Sequence, residues 1–183
     1  PLVKTDSPIV GTGLEHEVAK STGQLIVADE DGDVSYADAN RLTIKYKSGT
    51  KTYEPQHFVR SNNGTSVNQK VVVKVGEKVK KGQPIIEGMS VADGELALGK
   101  DVLVAFMPWE GYNFEDSIVI SERLVKDDEY TSIHIEDFSI DVRETKLGRE
   151  QVSPDIPNAS EESLRHLDEF GIIGVGSEVK AGD

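Results

Sequence analysis

Apolar residues in this chain fall into short runs broken by Gly, Asp, Asn and Ser, and that spacing predicts strands more often than helices. The runs Leu25–Ala28, Asp33–Tyr36 and Arg41–Tyr46 are parted by Asp-Gly and Asp/Asn turn residues, as in an antiparallel meander, with Lys47–Thr50 as a further hairpin tip. Pro84–Glu87 reads as a strand, Val102–Phe106 and Ser117–Ile120 as buried ones, and Tyr130–Ile135 with Phe138–Val142 as one long alternating strand. Three helices are expected. Leu14–Ala19 forms a single turn; Ser121 caps a helix near 121–127, with Glu122 favourable in its first turn. Ser160 opens one over 160–170 that sets Leu164, Leu167 and Phe170 on one face and stops at Gly171. The fold class is therefore mainly β with a few short helices. The first dozen residues hold two prolines and no periodicity, and read as an extended connector.

One repeat stands out. The string VGEKVKKGQ at 75–83 recurs as VGSEVKAGD at 175–183. Each glycine permits a turn with positive φ and each valine returns the chain to a core. A strand follows the first copy at once; the sequence stops at the second, so the chain is expected to be an excised piece of a longer polypeptide.

Composition narrows the function classes. Among 183 residues, 37% are hydrophobic and 29% charged, as in a soluble globular protein. No apolar run approaches the roughly 20 residues that span a bilayer and no signal peptide precedes the first strands, so no membrane partner and a cytoplasmic setting are expected. The absence of cysteine removes disulfides and thiolate metal sites. A formal charge of −13 opposes phosphate binding by the isolated chain. The charge is uneven: Lys70, Lys74, Lys78, Lys80 and Lys81 surround the single acid Glu77, whereas acids far outnumber bases over 124–169, where a solvated face or a protein contact is expected.

Candidate chemistry centres on residues 107–121, MPWEGYNFEDSIVIS. Two adjacent carboxylates, Glu115 and Asp116, stand between a turn rich in Gly, Asn and aromatics and an apolar β-branched run that should draw them away from bulk water. Adjacent strand residues point to opposite faces. Either a bend at the strand entry converges the pair, or one carboxylate binds and the other orients; the plain alternative is two ordinary turn acids. Residues 60–69, RSNNGTSVNQ, form a loop of amides and hydroxyls that either hydrogen-bonds its own backbone or, through Arg60, Asn62, Asn68 and Gln69, meets sugar or phosphate. The histidines His16, His57, His134 and His166 have no metal-site spacing, and no phosphate loop or Ser-His-Asp order is present. Trp109 and Tyr112 read as packing groups.

The strings GYNFEDSI, SERLVKDD and YTSIHIE, together with GTGLE, FVRSNNGTSVNQ, LALGKDVLVAFMPW and ETKLG…IPN, resemble the bacterial RNA polymerase beta subunit in collinear order over nearly the whole chain. The resemblance implies an internal fragment of a DNA-directed RNA polymerase, a nucleotidyltransferase, carrying part of the catalytic double-psi β-barrel and a barrel-sandwich hybrid. The implied divisions are a connector at 1–23, an antiparallel or barrel-sandwich region at 24–100, part of the catalytic barrel at 101–144 and the start of the flap at 145–183. It implies that Glu115 and Asp116 lie beside the second Mg²⁺ of a two-metal site, the ion that arrives with the incoming nucleoside triphosphate. The first ion is then held by beta-prime aspartates, and family lysines that approach the nucleotide lie beyond residue 183. Implied partners are the beta-prime and alpha subunits, sigma factor through the flap, DNA template, RNA product and nucleoside triphosphates. Two other classes compete on the residues alone. A noncatalytic carrier or assembly module would share the glycine turns, but residues 88–94 offer no lysine to modify; a small metal-dependent hydrolase would need ligands beyond the carboxylate pair.

Overall fold

The computed structural model describes residues 1–181, in two compact units: Pro1–Glu136, and a second from Asp137 onward. The first unit opens with α1 (Glu15–Ser21) and continues through β1 (Leu25–Val27), β2 (Gly32–Ala37), β3 (Leu42–Tyr46), β4 (Thr50–Tyr53), β5 (Val59–Arg60), β6 (Ser66–Val67), β7 (Gln69–Val71), β8 (Lys78–Val79), β9 (Pro84–Gly88), β10 (Val91–Ala92) and β11 (Glu95–Leu96). Its last element is α2 (Glu122–Lys126). The fold is mainly β, but only β2, β3 and β4 pair in sequence order as the expected meander would; β1 pairs with β9 instead.

Two antiparallel sheets, ordered β4-β3-β2-β8 and β1-β9-β7, share one core. Period-two alternation puts Leu42, Ile44 and Tyr46 of β3 into that core and leaves Lys45 in water. Val34, Tyr53, Val79, Ile85 and Ile86 close around them. β9 lies between β1 and β7, and its residues from Ile85 to Gly88 are all buried. The Glu87 carboxyl group among them accepts the Gly94 N–H at 2.8 Å, which gives this buried polar side chain a hydrogen-bond partner. A second cluster of Ala19, Leu25 and Val91 seats α1. Gly32 is required by close approach: a Cβ there would lie 2.7 Å from the Lys45 carbonyl oxygen and 2.7 Å from the Tyr46 ring. In the first copy of the repeat, Gly76 and Gly82 adopt φ of 83° and 80°, the turns anticipated from the sequence. No sheet among the described residues closes into a barrel.

Three expected strands are absent. Val102–Phe106 and Ser117–Ile120 have no ladder, and the Tyr130–Ile135 and Phe138–Val142 runs show only isolated bridges at Ser132 and His134. The composition is right for β, but a strand exists only in a ladder, and none of these runs forms one among the described residues. Nor are the first two buried: Leu103 and Phe106 are 102% and 98% exposed, and Ile118 is 83% exposed.

The second unit holds the hairpin β12 (Glu144–Thr145) and β13 (Gly148–Arg149), then α3 (Glu161–Leu164). Ser160 caps α3 as expected, accepting the Ser163 N–H, but the helix ends well before Phe170. Past its end the chain folds back on itself: Leu167 bridges Ile173, and Asp168 Oδ1 accepts the N–H groups of Phe170 and Ile172, both at 2.9 Å, so this stretch bonds as a turn and not as helix. Gly171 then turns with φ of 78°, where a Cβ would stand 2.5 Å from the Ser153 carbonyl carbon. Gly176 of the second repeat copy adopts φ of 90°, like Gly76; the end of that copy lies outside the described residues.

Candidate functional site

The acidic pair occupies a turn. The Ser117 N–H donates to the Phe114 carbonyl at 3.2 Å, which makes Glu115 and Asp116 the two corner residues. They lie in a turn and not at a strand entry, so strand alternation does not apply to them. Glu115 holds φ of 56°, uncommon for a residue with a Cβ and maintained by the turns around it.

Those turns are braced by Asn113, which was not among the residues singled out from the sequence. Its Oδ1 accepts the Trp109 N–H at 3.0 Å and its Nδ2 donates to the Met107 carbonyl at 2.7 Å. Backbone bonds from Tyr112 to Trp109 (2.9 Å) and from Phe114 to Gly111 (3.2 Å) complete the fold of the loop. The signal was an Asn two residues after Gly111 in a turn-forming string, where its amide substitutes for backbone partners.

Both carboxylates are exposed, which corrects the expectation that the following strand would withdraw them from water. With no ladder at 117–120, none of the described residues covers them. Trp109 and Tyr112 are exposed as well, so they are not packing groups within this chain. No group of three or more His, Asp or Glu side chains among the described residues is arranged to hold a metal ion. The pair alone offers oxygen ligands only, the donor chemistry that suits Mg²⁺ completed by water and phosphate oxygens.

The 60–69 loop is largely occupied with itself. Ser61 and Thr65 hydroxyls bond each other, Ser61 N–H donates to the Thr65 carbonyl at 2.8 Å, and Thr65 N–H donates to Ser61 Oγ at 3.2 Å. Gln69 is 4% exposed; its Oε1 accepts the Gln56 N–H and its Nε2 donates to the Gly23 carbonyl, both at 2.9 Å. Asn68 meets His57 Nδ1 at 3.1 Å, and His57 Nε2 faces the Ala39 carbonyl at 2.7 Å. Asn62 is exposed, and Arg60 is exposed with Nε donating to the Ile135 carbonyl at 3.0 Å. Ile135 N–H in turn donates to the Gly64 carbonyl, so the loop docks on the segment that follows α2. The other histidines have local partners: His16 meets the Gly94 carbonyl, His134 the Ser132 hydroxyl, and His166 accepts from Arg165 Nε.

Comparison with known proteins decides the family. Residues 27–183 match the family described as RNA polymerase Rpb2, domain 6. The chain is 54% identical over its whole length to a DNA-directed RNA polymerase subunit beta of Syntrophomonas wolfei. It is a member of the RNA polymerase beta-subunit family. The beta subunits of Chlamydia felis and Rickettsia bellii are 54% and 56% identical, again over all of this chain. The chain spans 17%, 15% and 14% of those three relatives, so it corresponds to a segment of a beta subunit. Among the described residues no helix is long and apolar enough to cross a membrane.

Proposed function

We propose that this segment supplies Glu115 and Asp116 to the nucleotidyl-transfer site of a DNA-directed RNA polymerase, beside the Mg²⁺ that enters with the nucleoside triphosphate. The observation that supports the reading is the presentation of two adjacent carboxylates as corner residues of one exposed turn in a beta-subunit relative. When bound, the ion supplies charge neutralisation and orientation for the triphosphate. The two carboxylates provide negative charge and oxygen donors; Asn113 holds the turn that aims them. A sparse protein contribution suits Mg²⁺, which retains water and takes phosphate oxygens.

The remaining groups belong to other chains or other parts of the subunit. In this reading beta-prime aspartates hold the first ion, downstream lysines meet the nucleotide, and the alpha subunits and sigma factor complete an assembly that carries DNA template and RNA product in the bacterial cytoplasm. Residues 101–144 contribute to the catalytic barrel, 24–100 to a barrel-sandwich region and 145–183 to the start of the flap. Arg60 and Asn62 lie toward the nucleotide, while Asn68 and Gln69 brace their loop.

The test is single-nucleotide extension on a preformed scaffold, using polymerase assembled with a complete beta subunit. A ligand of the triphosphate-bound ion acts when the substrate phosphates arrive, so Asp116→Ala should slow addition, with Glu115→Ala acting in the same direction. High Mg²⁺ should restore part of the rate by mass action, and scaffold binding should be unchanged. Wild-type rates for Asp116→Ala across the whole Mg²⁺ titration would refute the assignment.

A further inference from the structure

The turn that carries the acidic pair sits on an arm whose position is fixed at its root. Residues 101–121 are exposed throughout, apart from the half-buried Asn113. Where the arm departs, the Gly99 carbonyl accepts the Asp6 N–H at 3.0 Å and Lys100 Nζ donates to Asp6 Oδ1 at 2.9 Å. Where it returns, Glu129 Oε2 stands 3.6 Å from the same ammonium, too far for a hydrogen bond but within strong Coulomb range. The Tyr130 hydroxyl donates to the Lys100 carbonyl at 2.8 Å, and Val3 N–H donates to the Thr131 carbonyl at 2.8 Å. The Lys4 ammonium donates to the Asp127 carbonyl.

One cation thus ties three segments: the N-terminal stretch, the start of the arm and its end. The Lys100 and Glu129 side chains are only 22% and 19% exposed, so solvent screens this pair less than a surface one. The hydrogen bond to Asp6 also favours the charged lysine, raising its pKa. The returning segment needs such restraint, because Asp128 and Tyr130 hold φ of 56° and 59°.

We propose that Lys100 is a positioning residue for nucleotide addition: by clamping both roots of the arm it sets where Glu115 and Asp116 are presented. The inference rests on the function proposed for the acidic pair. Loss of the clamp lets the roots part, and carboxylates held in a broader set of positions meet the incoming phosphates less often in productive geometry.

The experiment uses polymerase assembled with a complete beta subunit carrying Lys100→Met, which keeps most of the side-chain length and removes the charge. The Mg²⁺ concentration for half-maximal single-nucleotide addition should rise by about fivefold, a misplacement effect smaller than losing a ligand. Lys100→Arg should restore the wild-type profile. Adding Lys100→Met to Asp116→Ala should produce no further shift, since the clamp acts through the pair. Asp6→Asn weakens the same contact with less risk to assembly; it should shift the profile in the same direction and keeps the test open if Lys100→Met does not assemble. A wild-type Mg²⁺ profile for Lys100→Met or Asp6→Asn, while Asp116→Ala is impaired, overturns the clamp and leaves the acidic pair's function standing. Equal slowing at every Mg²⁺ concentration, additive with Asp116→Ala, also overturns it. Wild-type behaviour of Asp116→Ala itself removes the reading on which the clamp rests.

Discussion

Glu15 shows how much one side chain settles at the entrance of α1. Its carboxylate accepts the Thr12 N–H at 2.6 Å, the Thr12 hydroxyl at 2.9 Å and the Gly13 N–H at 2.9 Å. The Thr12 backbone bond is the largest of several effects that carry its pKa from an ordinary 4.5 down to about 2. Leu14 has no side-chain cap to offer, so Glu15 reaches back to satisfy the backbone donors ahead of the helix. A depressed carboxylate stabilises the fold above its unfolded pKa and loses that contribution as pH falls toward the folded value. Stability should therefore decline between about pH 4.5 and pH 2 in part through this group. Glu15→Gln should lose stability near neutral pH and show a shallower decline over that window. Carboxyl ¹³C titration of Glu15 checks the pKa, and denaturant unfolding at a series of pH values checks the linkage.

Among elements, the β3–β4 hairpin carries the most tightly coupled contacts. The Tyr46 and Tyr53 hydroxyls meet at 2.8 Å within the core, and Tyr53 donates onward to Asp29 Oδ2 at 2.9 Å. Lys51 pairs with the same Asp29 oxygen at 2.6 Å and lies 4.8 Å from the Tyr53 ring centroid. Burial, aided by its two partners, holds the Tyr53 phenol well above the usual tyrosine range, and the Lys51 hydrogen bond holds Asp29 below the usual carboxylate range. The hydroxyl row lets two tyrosines close a core built from Leu42 and Ile44 without stranding a polar atom. Tyr53→Phe breaks that row at its centre and leaves the Tyr46 hydroxyl without its partner. The expected loss is about 1–2 kcal/mol, read as a lower denaturant midpoint at unchanged slope. Asp29→Asn should cost less in the Tyr53→Phe background than alone, because the two share one contact.

For the chain as a whole, the decisive property is apolar surface without cover. Leu103, Phe106, Phe114 and Ile118 are exposed on the arm, and Phe138, Ile140 and Leu147 are exposed in the second unit. Monomeric proteins rarely leave so much large apolar surface open, and such surface marks contacts with other protein. The relatives supply a source for that cover, since this chain spans only 14–17% of their length. Residues 1–183 alone should bind a hydrophobic dye and self-associate with rising concentration despite the charge of −13. Replacing Leu103 and Phe106 with serine should reduce both effects while leaving the β-sheet core intact. Sedimentation showing an ideal monomer at high concentration, with no dye binding, would contradict this account.

The readable part of the sequence was local. The strands from Leu25 to Tyr46, the tip at residues 47–50, the glycine turns at Gly76 and Gly82, and the Ser121 and Ser160 caps all follow from contacts a few residues apart. Glu115 and Asp116 stood out as an adjacent acidic pair beside a turn, which the residues alone read equally as two turn acids, and the motif resemblance identified the family. Packing partners were not legible. The runs at 102–106 and 117–120 have strand composition, yet a ladder needs a neighbour, and a one-dimensional pattern does not say whether one is present. Gln69 read equally as a self-bonding or a ligand-facing amide until its position at the start of β7 placed both amide atoms against Gln56 and Gly23. Lys100 was one charge among many until the fold brought Asp6 and Glu129 to it from distant parts of the sequence. Turns and caps depend on neighbours along the chain; ladders, buried amides and shared ion pairs depend on which distant residues arrive in the same space.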